Sequence, residues 1–371
     1  MSTRPNQDLD FEIRASATPV PADRRAQLLV APGFGSVFTD HMATIRWSED
    51  LGWHDARIES YGPITLDPAA AVFHYGQEIF EGLKAYTQAD GSIAAFRPQA
   101  NAARFNRSAI RMAMPELPES LFVRAIELLV GQDQDWVPTT EGHSLYLRPF
   151  MIATQTGLAV SRPSMSYLFT LIASPVAGYF GGELRPVTVW LSEDYSRAAP
   201  GGTGEAKCGG NYAAAFAGQQ QALDHDCDQV VWLDAAQRQW VEEMGGMNLF
   251  FVYGAGADAR IVTPAATGSL LLGMTRDALL KLGPDLGIPA VEERVSVADW
   301  RQGCATGEIT EVFACGTAAV ITPVGRVRGA SGEWTIGSGG TGPVTMRLRE
   351  ELIGIQNGSL PDRYGWMHPL S

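Results

Sequence analysis

The run GYFGGELRP (178–186) sets three glycines and a proline between two strand-like stretches, and such a cluster interrupts a chain rather than continuing either element. It predicts a smaller N-terminal domain over 1–180, an interdomain linker over 181–186 and a larger C-terminal domain over 187–371. Length asks for the same division, because 371 residues exceed one typical core and suit two domains of about 180 residues each. On the N-terminal side SIAAFRP (92–98) reads as a strand. NAARFNRSAIRMAM (101–114) reads as a helix, since Phe105, Ala109 and Met112 recur at helical spacing. A second amphipathic helix, SLFVRAIELLV (120–130), precedes two β-rich runs, SLYLRPFMIAT (144–154) and MSYLFTLIASPV (165–176), so an α+β domain is expected.

Beyond the linker, VTVWL (187–191) reads as a strand and YAAAFAGQQQALDH (212–225) as a helix. DQVVWLDAAQRQWVEEM (228–244) reads as a hairpin turning at DAAQ. The strand NLFFVY (248–253), the helix TRDALLKLG (275–283) and the β-rich EITEVFACGTAAVITPV (308–324) follow. No fixed period repeats, which removes solenoids and propellers.

Within this second half, GGTGEAKCGGNY (201–212) surrounds Lys207 with glycines and holds no other cation. A lysine amine becomes a nucleophile or Schiff-base former when its neutral state is accessible. Flanking glycines let backbone approach a bulky planar partner closely. The segment reads equally well as a flexible loop with a solvated lysine, so other parts of the chain must decide.

Several chemistries drop out. The formal charge of −13 opposes a nucleic-acid partner, because phosphate binding needs concentrated Lys and Arg. The polar N-terminus lacks the apolar run of a signal peptide, and no long apolar stretch predicts a membrane span. Cys208, Cys227, Cys304 and Cys315 form no CxxC pair, and the six histidines show no ligand spacing, so no metal is expected and a reduced cytoplasmic setting is the simplest reading. No GxSxG elbow is present. A P-loop would need glycine at Ala206 and Ser or Thr at Cys208.

What remains suits a small phosphorylated cofactor. Backbone N–H groups around Gly273, Met274 and Thr275 stand at a predicted helix start, where the dipole favours an anion. Gly316 and Thr317 supply a tight turn with a hydroxyl. Glu242 and Glu243 are adjacent on a strand, so one carboxylate is expected toward solvent and the other toward a site. Arg104, Arg107 and Arg111 share one predicted helix face, from which one could reach an anion bidentately. Tyr75, Phe80, Tyr146, Arg148 and Tyr179 lie in aromatic, partly apolar runs that read as core when judged alone.

Taken together, FHYGQEIFEGLKAY, FRPQANAARFNRSA, YLRPF, GGTGEAKCGGNYAA, DQVVWLD, EEMGGMNLFFV, LLGMTRDALL and EVFACGTAAVITPV resemble, in order along most of the chain, the fold type IV pyridoxal-phosphate enzymes, specifically branched-chain amino acid aminotransferases. The resemblance implies a two-domain α+β fold with a smaller N-terminal domain and a C-terminal domain built on a mixed β barrel-like core. It implies a homodimer, and reversible amino transfer between L-leucine, L-isoleucine or L-valine and 2-oxoglutarate by a ping-pong mechanism. For the cofactor, pyridoxal 5′-phosphate, it implies that Lys207 forms the Schiff base and shuttles a proton, that Tyr212 meets the phenolic oxygen, and that Glu243 pairs with the pyridine nitrogen. Arg104, Met274, Thr275 and Thr317 are then the phosphate ligands. For the substrate it implies Tyr75, Thr317 and Ala318 at the α-carboxylate, Arg148 at the side-chain carboxylate of glutamate, and Phe34, Phe80, Tyr146, Tyr179 and Gly246 around the side chain. Leu158 and Val160 match positions that enter the site from the neighbouring subunit.

The chain departs from the family twice. Ala319 and Thr322 stand where some members carry a redox CxxC, and Gly246 stands where some carry threonine. A D-amino acid aminotransferase, an aminodeoxychorismate lyase or a non-catalytic binder of a phosphorylated metabolite would share much of this pattern. Retention of both Lys207 and Glu243 speaks against the binder, and YLRPF with EEMGGMN favours the branched-chain reading.

Overall fold

The computed structural model describes residues 9–177 and 184–370. They fall into two compact units that are not contiguous in sequence: 9–177 with 206–209 and 355–370 form one, and 184–205 with 210–354 form the other. A break at 181–186 alone treats each domain as a single stretch; packing instead draws two short segments into the first unit. Ala206 and Cys208 are inserted in its hydrophobic core, and strand Met367–Pro369 pairs antiparallel with Ile93–Phe96.

The first unit is built on a nine-stranded sheet whose long central strands, Ser144–Ala153 and Ser166–Val176, pair antiparallel. In SLYLRPFMIA burial alternates from Leu147 to Ala153, the mark of a strand with two different faces. Helices Pro98–Arg111 and Glu119–Gln132 supply the apolar layer. Proline at the first helical position has no N–H to lose, and Asn101, Ala102, Phe105, Ser108 and Ala109 then fall on the buried face. Phe105 meets Phe122 at 5.5 Å and Phe169 at 5.7 Å between ring centres, locking the two helices and the sheet together.

The second unit contains a closed ring of six strands: Val187–Ser192, Gln229–Leu233, Val241–Met244, Met247–Tyr253, Ile309–Gly316 and Val320–Gly329. Val187–Ser192 runs parallel to both its neighbours and the remaining pairs are antiparallel, which is the mixed barrel the family resemblance implies. The hairpin 228–244 appears where the sequence places it, and the helix expected over 212–225 begins earlier, as Gly209–Asp224. No helix among the described residues is long and apolar enough to cross a membrane.

One buried acid ties the barrel to its last helix. Glu311, on Ile309–Gly316, accepts from the N–H groups of Val344 and Thr345 at 3.0 and 2.8 Å and from Thr345 Oγ1 at 2.7 Å. Its carboxylate therefore caps helix Pro343–Gln356 from a distant strand, at the end of the dipole that favours negative charge. Glu311→Ala is expected to cost about 3 kcal/mol in urea denaturation, from three buried donors left without their acceptor, and Glu311→Gln less. A loss under about 1 kcal/mol for the alanine variant would show that the cap contributes no more than an ordinary surface contact.

Candidate active site

Lys207 is half-buried and its backbone is held from both sides within the first unit. Its N–H donates to Ser108 Oγ at 2.9 Å, and its carbonyl accepts from the Phe80 N–H at 2.9 Å. The Nζ stands 4.7 Å from the centre of the Phe80 ring. The same ring receives a second cation, with Arg148 Cζ 4.9 Å from its centre. Arg148 Nη2 donates to Tyr146 Oη at 3.0 Å, and Tyr146 packs on Phe34 with ring centres 5.2 Å apart. Phe34, Phe80, Tyr146, Arg148 and Lys207 thus form one cluster, although they lie far apart in sequence.

Arg104 is buried, while Arg107 and Arg111 on the same helix are exposed. The expectation of three arginines on one face therefore needs correcting: the helix turns Arg104 inward, where Glu81 receives it bidentately at 2.7 and 2.8 Å. Glu81 is itself completely buried. The two parallel bonds offset the buried charge of the guanidinium. Tyr75 is exposed, not core, and its hydroxyl donates to the Leu158 carbonyl at 2.5 Å, next to the exposed Val160. Tyr179 lies outside the described residues.

In the second unit Glu243 is 2% exposed and ion-paired to Arg197 at 3.0 Å. Its Oε1 accepts from the Leu271 N–H at 2.6 Å and from Asn248 Nδ2 at 3.5 Å. Asn248 also donates to the Leu271 carbonyl at 2.8 Å and accepts from the Gly273 N–H at 3.1 Å. Gly273 is the N-cap of helix Met274–Asp285, so the acid, the asparagine and the start of that helix form one network. A Cβ on Gly273 would stand 2.3 Å from Asn248 Oδ1, so any other residue there would push the amide aside. Met274 and Thr275, both buried, begin the helix, whose first-turn N–H groups cannot be capped by a glycine side chain. Tyr212 lies beside Gly246, where a Cβ would come to 3.4 Å from its ring.

Thr317 and Ala318 occupy the turn between the paired strands Ile309–Gly316 and Val320–Gly329. Val320 closes that turn at φ 60°, an outlier for a β-branched residue that costs on the order of 1–3 kcal/mol. Glu242 departs from expectation. It is 6% exposed rather than solvated, and Ser269 Oγ and Thr267 Oγ1 donate to its Oε1. Neither carboxylate of the pair faces water.

Glu78, Glu81, Ser108, Arg197 and Asn248 are the partners that sequence reasoning missed. Glu78 and Glu81 lie within the quoted FHYGQEIFEGLKAY, and acids in that position read as solvated until the sheet is assembled. Arg197 stands in SRAAPGG without any motif of its own.

With this geometry in place, comparison with known proteins defines the class. The model of the amino-transferase class IV family matches residues 78–327, and the chain belongs to that family. It is 56% identical to the branched-chain-amino-acid aminotransferase of Mycolicibacterium smegmatis over 98% of this chain and 99% of that one. The solved branched-chain amino acid aminotransferase from Escherichia coli is similar with a TM-score of 0.70 and 28% identity, covering 89% of this chain and 99% of the other. A T.th. branched-chain amino acid aminotransferase complexed with N-(5′-phosphopyridoxyl)-L-glutamate is similar with a TM-score of 0.69 and 28% identity, covering 89% and 99% of the two chains. These findings agree with the fold type IV architecture the sequence implies.

Burial pushes the Glu242 carboxyl above the ordinary range, against the opposing pull of Ser269, Arg197 and Thr267. Because the folded state holds this proton more tightly, the unfolded chain ionises first as pH rises, and stability falls across the window just above the ordinary glutamate value. Glu242→Gln keeps an oxygen for Ser269 and cannot ionise. The variant is expected to gain stability over the parent at pH 8 and to gain less at pH 5, read from urea midpoints; a variant weaker than the parent at pH 8 would contradict this account.

Proposed function

We propose that this chain is a branched-chain-amino-acid transaminase that moves an amino group reversibly between L-leucine, L-isoleucine or L-valine and 2-oxoglutarate by a ping-pong mechanism. The observation that carries the reading is Lys207, clamped through its backbone with its amine over the Phe80 ring, in a chain 56% identical to an aminotransferase of that name across nearly its whole length. The donor chemistry suits pyridoxal 5′-phosphate: an amine for its aldehyde, a buried carboxylate for its pyridine nitrogen, a phenol for its phenolic oxygen, and a helix start for its phosphate. When bound, this cofactor supplies an electron sink for cleavage of a Cα–H bond.

In this reading Lys207 binds the cofactor and carries the proton between Cα and C4′. Glu243, with its charge offset by Arg197, holds the proton on the pyridine nitrogen. Tyr212 donates to the phenolic oxygen. Arg104, the backbone of Met274 and Thr275, and Thr317 bind the phosphate. Tyr75, Thr317 and Ala318 seat the α-carboxylate, and Phe34, Phe80, Tyr146, Tyr179 and Gly246 surround the side chain and exclude water. Arg148 takes the distal carboxylate of glutamate; its Nε is buried and has no acceptor among the described residues, a donor that such a carboxylate would satisfy. Leu158 and Val160, exposed at 62% and 72%, complete the site of a second copy in a homodimer. The enzyme acts in the cytoplasm on soluble metabolites.

Bleaching of a visible band by L-leucine and its return with 2-oxoglutarate would establish both halves of the reaction. Lys207→Ala is expected to lower turnover at least about 10³-fold, the scale of losing a positioned proton carrier; intact turnover of leucine and 2-oxoglutarate in that variant would end the proposal. Arg148→Met is expected to raise KM for 2-oxoglutarate about 30-fold, from the loss of about 2 kcal/mol of charge-assisted hydrogen bonding, with little effect on KM for leucine. Equal changes for both substrates would remove Arg148 from its assigned role.

A further inference from the structure

Strand Glu78–Phe80 does more than supply a pocket ring. Alternate residues of a strand share a face, and both Glu78 and Phe80 reach the lysine segment. Phe80 N–H donates to the Lys207 carbonyl at 2.9 Å, while the Glu78 carboxylate accepts from the Gly209 N–H, two residues beyond the lysine. A Cβ on Gly209 would stand 2.5 Å from Glu78 Oε1, so the glycine and the acid are fitted to each other. Two cations, Lys207 and Arg148, share the Phe80 ring, and Glu78 precedes that ring on the same strand face. Burial raises the Glu78 carboxyl above its ordinary range, and the Gly209 N–H and the Arg148 charge pull it back.

We infer that Glu78 is a positioning and specificity residue: its carboxylate fixes the backbone carrying Lys207, and its charge offsets Arg148 while an uncharged side chain occupies the pocket. The inference rests on the transaminase reading above. With leucine bound, Arg148 has no carboxylate from the substrate, and Glu78 limits the cost of leaving that cation in a half-buried place. With 2-oxoglutarate bound, the distal carboxylate reaches Arg148 and meets the field of Glu78 as well. Glu78 thereby weakens dicarboxylate binding relative to aliphatic binding, which narrows the gap between the two substrates that one pocket must accept in turn.

Two inert ligands separate these terms in the holoenzyme: 4-methylvalerate, which has an aliphatic tail, and glutarate, which has a second carboxylate. Glu78→Gln keeps an oxygen for Gly209 and removes the charge. Calorimetric titration is expected to show glutarate binding about tenfold tighter than in the parent, the effect of removing one nearby like charge, with 4-methylvalerate changed no more than about threefold in either direction. Glu78→Ala removes the acceptor too, and amide exchange at Gly209 is expected to speed up about tenfold in it but not in Glu78→Gln. An unchanged ratio of the two dissociation constants in Glu78→Gln would overturn the specificity role, and unchanged exchange in Glu78→Ala would overturn the positioning role. A parent enzyme that binds neither ligand would overturn the transaminase reading and this inference together.

Discussion

The ion pair between Glu243 and Arg197 is the constraint around which the second unit is arranged. Both side chains are almost wholly buried, and a carboxylate taken out of water without compensation costs several kcal/mol. Compensation comes from three directions: the guanidinium, the Leu271 N–H and the Asn248 amide. Arg197 also donates to the Ser269 carbonyl at 2.9 Å, so the loop leading to helix Met274–Asp285 is tied to the acid at Ser269, Leu271 and Gly273. The same loop answers the neighbouring acid, because Thr267 and Ser269 donate to Glu242. Two adjacent carboxylates on one strand thereby fix where that helix begins. Removing either partner of the central pair would leave a buried charge, which is more damaging than never having had the pair.

The first unit follows the same logic with other residues. Glu81 and Arg104 form a buried bidentate pair between a strand end and a helix, and Ser108, one turn along that helix from Arg104, accepts the Lys207 N–H. The rigid body that carries the arginine therefore also holds the lysine. Ordering both on one helix removes freedom that a loop-borne lysine would otherwise have to lose on binding.

Much of this was legible in the sequence where a local pattern determines structure. The helix expected over 101–114 from apolar spacing runs instead over Pro98–Arg111, shifted about one turn toward the N-terminus so that Met112 caps it; the hairpin over 228–244 follows from its turn, and the barrel strands from β-rich runs. What local pattern does not encode is which polar groups meet across the fold. Glu78 and Gly209 are 131 positions apart, and Glu81 and Arg104 are 23 apart. Acids in isolation read as solvated because their average environment is water, and this misplaced Glu242 as well. Arg104 illustrates the other limit: periodicity puts three arginines on one stripe, yet a single buried carboxylate decides that only one of them turns inward.

Glycine carries a further lesson about the lysine run. Its glycines suggest room for a bulky planar partner, and in the structure Gly209 makes room for the carboxylate of Glu78. Gly273 does the same for the Asn248 amide in the second unit. At both places the missing Cβ leaves room for a polar side chain arriving from a distant strand. A side chain at either glycine would push this acceptor aside, so the glycine and its remote partner act together. Reading either residue alone recovers a flexible turn or a surface acid; reading them together recovers the fixed backbone on which a reactive lysine and a helix start depend.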